Sequence, residues 1–181
     1  KITPAIIDEA METIMKPMAK AMMEEGHPFT GFLYGGLMLT DKGMKTIEFN
    51  ARFGDPEAEV ILPRLKSDFV EVIENIMNHK TVELTWDEEV TLGVVMASEG
   101  YPASSTKGAV MKGFEDVDSM IFHMGTKEID GNLVTDGGRV LIVVSKEKTL
   151  EEAYKKAYED VEKITCDKLF YRKDIGKKDM Q

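Results

Sequence analysis

Residues 31–53 constrain this chain most, because two strand-like runs lie there with only Asp41-Lys42-Gly43 between them. The first, Gly31-Phe32-Leu33-Tyr34-Gly35-Gly36-Leu37-Met38-Leu39-Thr40, is nearly continuous in apolar residues, and the second runs from Lys45 to Phe53. So short a turn cannot hold the crossover that parallel strands require, so the two runs form an antiparallel hairpin. The apolar first arm predicts burial on both faces. In the second arm Ile47, Phe49, Ala51 and Phe53 are expected to face the core. Glu48, Asn50 and Arg52 alternate with them and are expected in a row on the other face, about 6–7 Å apart.

The flanking segments read as helices. Thr3-Pro4 supplies an N-cap and a first-turn proline, and Ile7, Met11, Ile14, Met18 and Met22 recur near helical spacing until Gly26. Pro17 falls inside that pattern and predicts a kink or split. The methionine stripe reads as core filling. Asp55-Pro56-Glu57 offers an N-cap, a proline and a first-turn acid for one further helix, and another is expected over 67–78.

Beyond Lys80 the pattern turns to β. A buried strand is expected over 90–98, a break at Tyr101-Pro102, a polar loop over 103–108, and short strands over 119–124, 133–135 and 139–144. Thr149-Leu150-Glu151-Glu152 is a capping box opening a last helix. Its apolar face is Leu150, Ala153, Tyr154, Ala157, Val161 and Ile164, with its charged residues expected in solvent. The order predicts an α+β fold in two parts, 1–80 and 81–181.

Composition narrows the function classes. The 181 residues are 43% hydrophobic, enough for a packed core, and carry a formal charge of −10. That balance argues against nonspecific nucleic-acid binding, which needs a basic face. Cys166 is the single cysteine, so an intrachain disulfide is excluded, and a reducing cytoplasm is expected. No apolar run approaches the roughly 18 residues of a membrane span. His27, His79 and His123 have no metal-ligand spacing and read as structural, as does Cys166 as a packed thiol.

The Glu48-Asn50-Arg52 row admits two readings. It is the solvated face of an amphipathic strand, or it is a site. A carboxylate and an amide oxygen at that spacing can share a hard cation such as Mg²⁺, and a guanidinium one step on can hold phosphate or carboxylate. The helix start after Gly54-Asp55-Pro56 adds an anion-binding terminus beside the row.

Gly31–Leu39 together with Glu48-Phe49-Asn50-Ala51-Arg52-Phe53-Gly54-Asp55-Pro56-Glu57 closely resembles the phosphoribosylamine–glycine ligase family of the ATP-grasp superfamily. The likeness continues through Leu62–Asp68, Ala97–Pro102, Lys107-Gly108, Phe122–Thr126, Thr135–Leu141 and Tyr171–Gly176, nearly the whole chain in order. It implies a partial ATP-grasp subdomain (helix, antiparallel strands, helices) followed by a small β-rich C-terminal domain with a final helix.

It also implies a reaction. ATP, glycine and 5-phosphoribosylamine give glycinamide ribonucleotide, ADP and phosphate through a glycyl phosphate, in purine biosynthesis, with the intact enzyme a cytoplasmic monomer. Glu48 and Asn50 match the family's Mg²⁺ or Mn²⁺ ligands, and Arg52 matches an active-site arginine. Gly54 and Asp55 are expected to line the same pocket. Lys107 and Arg139, on glycine-flanked loops, either approach the ribose 5-phosphate or form surface ion pairs. Gly35, Gly36, Leu37 and Met38 supply no second metal-binding acid.

The family's N-terminal domain and adenine-gripping lid have no counterpart before residue 31, so the chain is expected to be a C-terminal portion, inactive alone. Two rivals are another ATP-grasp carboxylate–amine ligase and a noncatalytic nucleotide- or phosphosugar-binding or assembly module.

Overall fold

The computed structural model describes residues 2–180. The chain divides into two compact units, one formed by residues 1–54 and 67–85, the other by 55–66 and 86–181.

In the first unit, α1 (Pro4–Ala10) and α2 (Lys16–Glu24) are joined by a π-helical turn over Met11–Met15. Pro17 sits in the first turn of α2, where its missing N–H needs no partner, and the wide turn just before it absorbs the broken ladder. The expected split is present. β1 (Tyr34–Thr40) and β2 (Gly43–Asn50) form a two-stranded antiparallel sheet. Phe69 closes a ring cluster with Phe32 and Phe53, with centroids 4.2–6.0 Å apart.

Burial departs from expectation here. The methionine stripe is core only in part: Ile7 is 53% and Met11 44% exposed, while Ile14, Met18 and Met22 are half-buried. The first arm of the hairpin is not buried on both faces either, with Met38 and Leu39 about half exposed. A sheet of only two strands cannot cover both a helix face and itself. An open cavity of about 350 Å³ remains between Ile6, Met11 and Met15 of the helical segment and Leu37, Leu39 and Met44 of the hairpin.

The second unit is built on a four-stranded antiparallel sheet in the order β4–β7–β3–β8, with β3 Val90–Ser98, β4 Met120–His123, β7 Arg139–Glu147 and β8 Leu169–Tyr171. A separate hairpin pairs β5 (Thr126–Ile129) with β6 (Asn132–Thr135) around Asp130-Gly131, both at positive φ. α5 (Leu150–Lys163) packs Ala153, Ala157 and Val161 against Val94, Val140 and Val143. The short α3 (Glu57–Ile61) belongs to this unit, and Thr91 donates to the Val60 carbonyl at 2.6 Å. β5 and β8 were not anticipated, and β7 runs longer than expected. Among the described residues no helix is long and apolar enough to cross a membrane.

In the first unit α4 (Phe69–Met77) is capped by Asp68, which accepts from the Val70 and Glu71 N–H groups at 2.9 and 3.0 Å. The capping box of α5 is formed as read from the sequence. One charged residue of α5 is not in solvent. Asp160 is fully buried, accepting from the Ser119 N–H at 2.8 Å and from Lys163 at 2.7 Å. Burial pushes its carboxyl up, but these donors and the Lys156 charge outweigh it and hold the group at about 2.

Because this folded value lies below the ordinary 3.8, the carboxylate stabilises the fold above about pH 4 and loses that contribution as pH falls toward 2. Asp160→Asn is therefore expected to destabilise the chain by about 1.5–3 kcal/mol at pH 7. Urea unfolding should show the gap from the unaltered chain closing between about pH 4 and pH 2.

Candidate metal and phosphate site

β2 places the two oxygen donors. Asn50 Nδ2 donates to Glu48 Oε1 at 2.9 Å, which holds the side chains together and leaves the amide oxygen and the second carboxylate oxygen as acceptors. Gly36 is the cross-strand partner of Glu48, and a Cβ there would lie 3.1 Å from Glu48 Cγ. Glycine thus clears the space the carboxylate occupies. At Gly35 a Cβ would lie 2.6 Å from the Met15 sulfur, so the neighbouring glycine admits the helical segment instead.

Alternation is only partly kept along the second arm. A β-bulge between Gly36 and Leu37 makes Ile47 the extra residue, and it is 63% exposed where the sequence expected it in the core. The strand ends at Asn50, paired with Tyr34 at the first residue of β1, because no partner backbone continues. Arg52 therefore lies on a bend beyond the strand rather than in a row with Glu48 and Asn50, and its guanidinium donates to the Phe53 carbonyl at 2.8 Å. Gly54 is buried at the end of this segment.

The donor set fits a hard divalent cation. One carboxylate and one amide oxygen suit Mg²⁺ or Mn²⁺, which take one or two protein ligands where substrate phosphates complete the shell. Among the described residues no cluster of three or more His, Cys, Asp or Glu is placed to hold a metal.

Asp55 and Arg139 meet in the second unit. Arg139 Nη1 donates to the Asp55 carbonyl at 2.8 Å, and Nη2 lies 3.5 Å from its carboxylate. Asp55 is not an N-cap, since Pro56 holds that position and no side chain caps α3, a helix of five residues. The expected anion-binding terminus is thus not built there. Lys107 pairs with Asp136 at 3.1 Å, both partly exposed. The structure brings together Glu48 with Asn50, Asp55 with Arg139, and Lys107 with Asp136.

Of the residues held structural, His123 Nδ1 meets the Thr126 hydroxyl at 3.0 Å, and Cys166 packs half-buried against the core. Lys146 bonds Asp87 at 2.7 Å and holds its carboxyl below the usual range.

Two family models match the chain: the ATP-grasp (A) domain of phosphoribosylglycinamide synthetase over residues 1–58, and its C domain over residues 91–178. The phosphoribosylamine–glycine ligase of Halalkalibacterium halodurans is 52% identical over 174 residues, 95% of this chain and 41% of that one. The chain belongs to the phosphoribosylamine–glycine ligase family. The Listeria innocua ligase is 45% identical over 98% of this chain and 43% of its own length. A crystal structure of the Thermotoga maritima ligase superimposes with a TM-score of 0.86 at 36% identity, covering 97% of this chain and 44% of that one. The chain thus spans about two fifths of the length of the curated ligases it matches.

Arg172 lies in the Tyr171–Gly176 stretch, where the sequence by itself assigns it no role. Arg172 grips Asp174 through Nε at 2.9 Å and Nη2 at 2.6 Å. The signal was the Arg-x-Asp spacing just after a strand.

Because Glu48 is exposed and bonded only locally, Glu48→Ala is expected to change unfolding free energy by no more than about 0.5 kcal/mol. Phe53→Ala, which opens the ring cluster, is expected to cost about 2 kcal/mol or more by the same urea measurement.

Proposed function

We propose that this chain is the C-terminal portion of an ATP-dependent ligase that joins glycine to 5-phosphoribosylamine, giving glycinamide ribonucleotide, ADP and phosphate. On this reading residues 1–80 complete an ATP-grasp domain and 81–181 form the β-rich C-terminal domain of a cytoplasmic monomer. The observation that carries it is the Asn50–Glu48 hydrogen bond opposite Gly36, two hard oxygens held side by side in a chain of this family.

Glu48 and Asn50 would hold Mg²⁺ or Mn²⁺, which would supply positive charge to offset that of the nucleotide phosphates. The glycine carboxylate attacks the γ-phosphorus of ATP, the β,γ-bridging bond breaks, and ADP leaves. The ribosylamine nitrogen then attacks the glycyl carbonyl, phosphate leaves and the nitrogen gives up a proton. Arg52, two residues past the strand that holds the pair, supplies a guanidinium to the acyl phosphate. Gly54 and Asp55 line the pocket, and Lys107 and Arg139 face the ribose 5-phosphate.

In a full-length ligase bearing this segment, Glu48→Ala is expected to lower glycine- and phosphoribosylamine-dependent ADP release by about a hundredfold or more, with the circular dichroism spectrum unchanged. Undiminished turnover would overturn the assignment. The chain alone is expected to release no ADP in a substrate-dependent manner, and sustained release from it would contradict the reading.

A further inference from the structure

The two arms of the β1–β2 hairpin are out of step by one residue. From the turn outward Thr40 pairs with Gly43, Leu39 with Met44, Met38 with Lys45 and Leu37 with Thr46. Continued without interruption, that register would set Gly36 against Ile47, Gly35 against Glu48 and Tyr34 against Phe49. The bulge intervenes. The observed pairs are Gly36 with Glu48, Gly35 with Phe49 and Tyr34 with Asn50.

The two registers differ in the face on which Glu48 stands. Directly paired residues share a face, and neighbours along a strand alternate. Gly35, Leu37, Leu39 and Met44 line the same cavity as Met11 and Met15, so theirs is the face that the helical segment covers. A Cβ on Gly35 would meet the Met15 sulfur at 2.6 Å, whereas one on Gly36 would meet Glu48 Cγ at 3.1 Å and the Tyr34 ring at 3.7 Å. The uninterrupted register would therefore set the Glu48 carboxylate against an apolar helical face, where an unpaired charge is costly. One extra residue turns Glu48 and Asn50 to the other face, on which Met38 and Lys45 are also exposed. Bulges beside active sites re-aim side chains in this way. Gly36 does not lie at positive φ, so this position uses the missing side chain and not the backbone freedom of glycine.

We propose that the bulge at Ile47 and the bare Gly36 are the positioning features of the Glu48–Asn50 pair. The bulge selects the exposed face of the hairpin for the two oxygen donors, and Gly36 leaves the room in which the carboxylate meets a divalent cation. The proposal deepens the ligase reading and rests on it for the identity of the cation.

The test measures Mn²⁺ affinity by electron paramagnetic resonance in a full-length ligase bearing this segment, with a nonhydrolysable ATP analogue present, and thermal unfolding of the same samples. Gly36→Val fills the space beside Glu48 and is expected to weaken Mn²⁺ by about tenfold or more. Gly35→Ala intrudes on Met15 from the opposite face. It is expected to lower the melting temperature and to leave Mn²⁺ affinity within about threefold. A glycine inserted between Gly36 and Leu37 gives Ile47 a partner and makes the ladder regular. Leu37 and Leu39 stay against the helical segment, Glu48 and Asn50 turn to the same side, and a loss of about tenfold or more is expected. Deleting Ile47 from that insertion variant moves the extra residue to the first arm, which again sets Thr46 and Glu48 on opposite faces. Affinity is then expected to return to within about threefold of the unaltered ligase.

An unaltered Mn²⁺ affinity in Gly36→Val or in the insertion variant would overturn the proposal. So would an equal loss in Gly35→Ala, or a combined variant that folds without recovering the ion. The contrast between Gly35 and Gly36 decides the question even if the insertion fails to fold. Failure of the ligase reading is seen elsewhere, as an unchanged Mn²⁺ affinity after Glu48→Ala, so the two failures are distinguished.

Discussion

β7 is buried along Val140–Ser145, and the second unit is arranged around that fact. A central strand with no polar face must be covered on both sides. α5 supplies one cover through Ala153, Ala157 and Val161, whose small side chains let the helix lie close. The residues around Val60 supply the other, against Gly93 and Ile142, where a Cβ on Gly93 would lie 2.7 Å from the Val60 side chain. This second cover is why the short segment 55–66 belongs to the β-rich unit. It also delivers Asp55 to Arg139 at the head of β7.

Features set by near neighbours in the chain were readable from the residues. The capping box at Thr149, the break at Pro17 and the Asp41-Lys42-Gly43 turn each depend on contacts within a few positions. Features set by distant partners were not. The bulge at Ile47 answers to Gly36 across the hairpin, and the end of β2 at Asn50 answers to where β1 begins. Asp160 looked like one more charge on a polar helix face, because its justification, the Ser119 N–H, lies 41 residues away. The methionine stripe misled in part, for the converse reason: periodicity reports an apolar face and is silent on how much surface is available to cover it.

The candidate site shows the same division. Glu48 and Asn50 two apart on a strand could be read as neighbours, and their hydrogen bond is that neighbourhood realised. Arg52, by the same rule, should have joined them, yet the rule lapses where the ladder stops.

The central claim is that Glu48 and Asn50 are the protein's ligands to the divalent ion that accompanies the nucleotide. Electron paramagnetic resonance of Mn²⁺ titrated into a full-length ligase bearing this segment, in the presence of a nonhydrolysable ATP analogue, reads that directly. The account predicts a tight, nucleotide-dependent Mn²⁺ signal that weakens by about tenfold or more in both Glu48→Ala and Asn50→Ala. An unchanged Mn²⁺ affinity in either variant would contradict it.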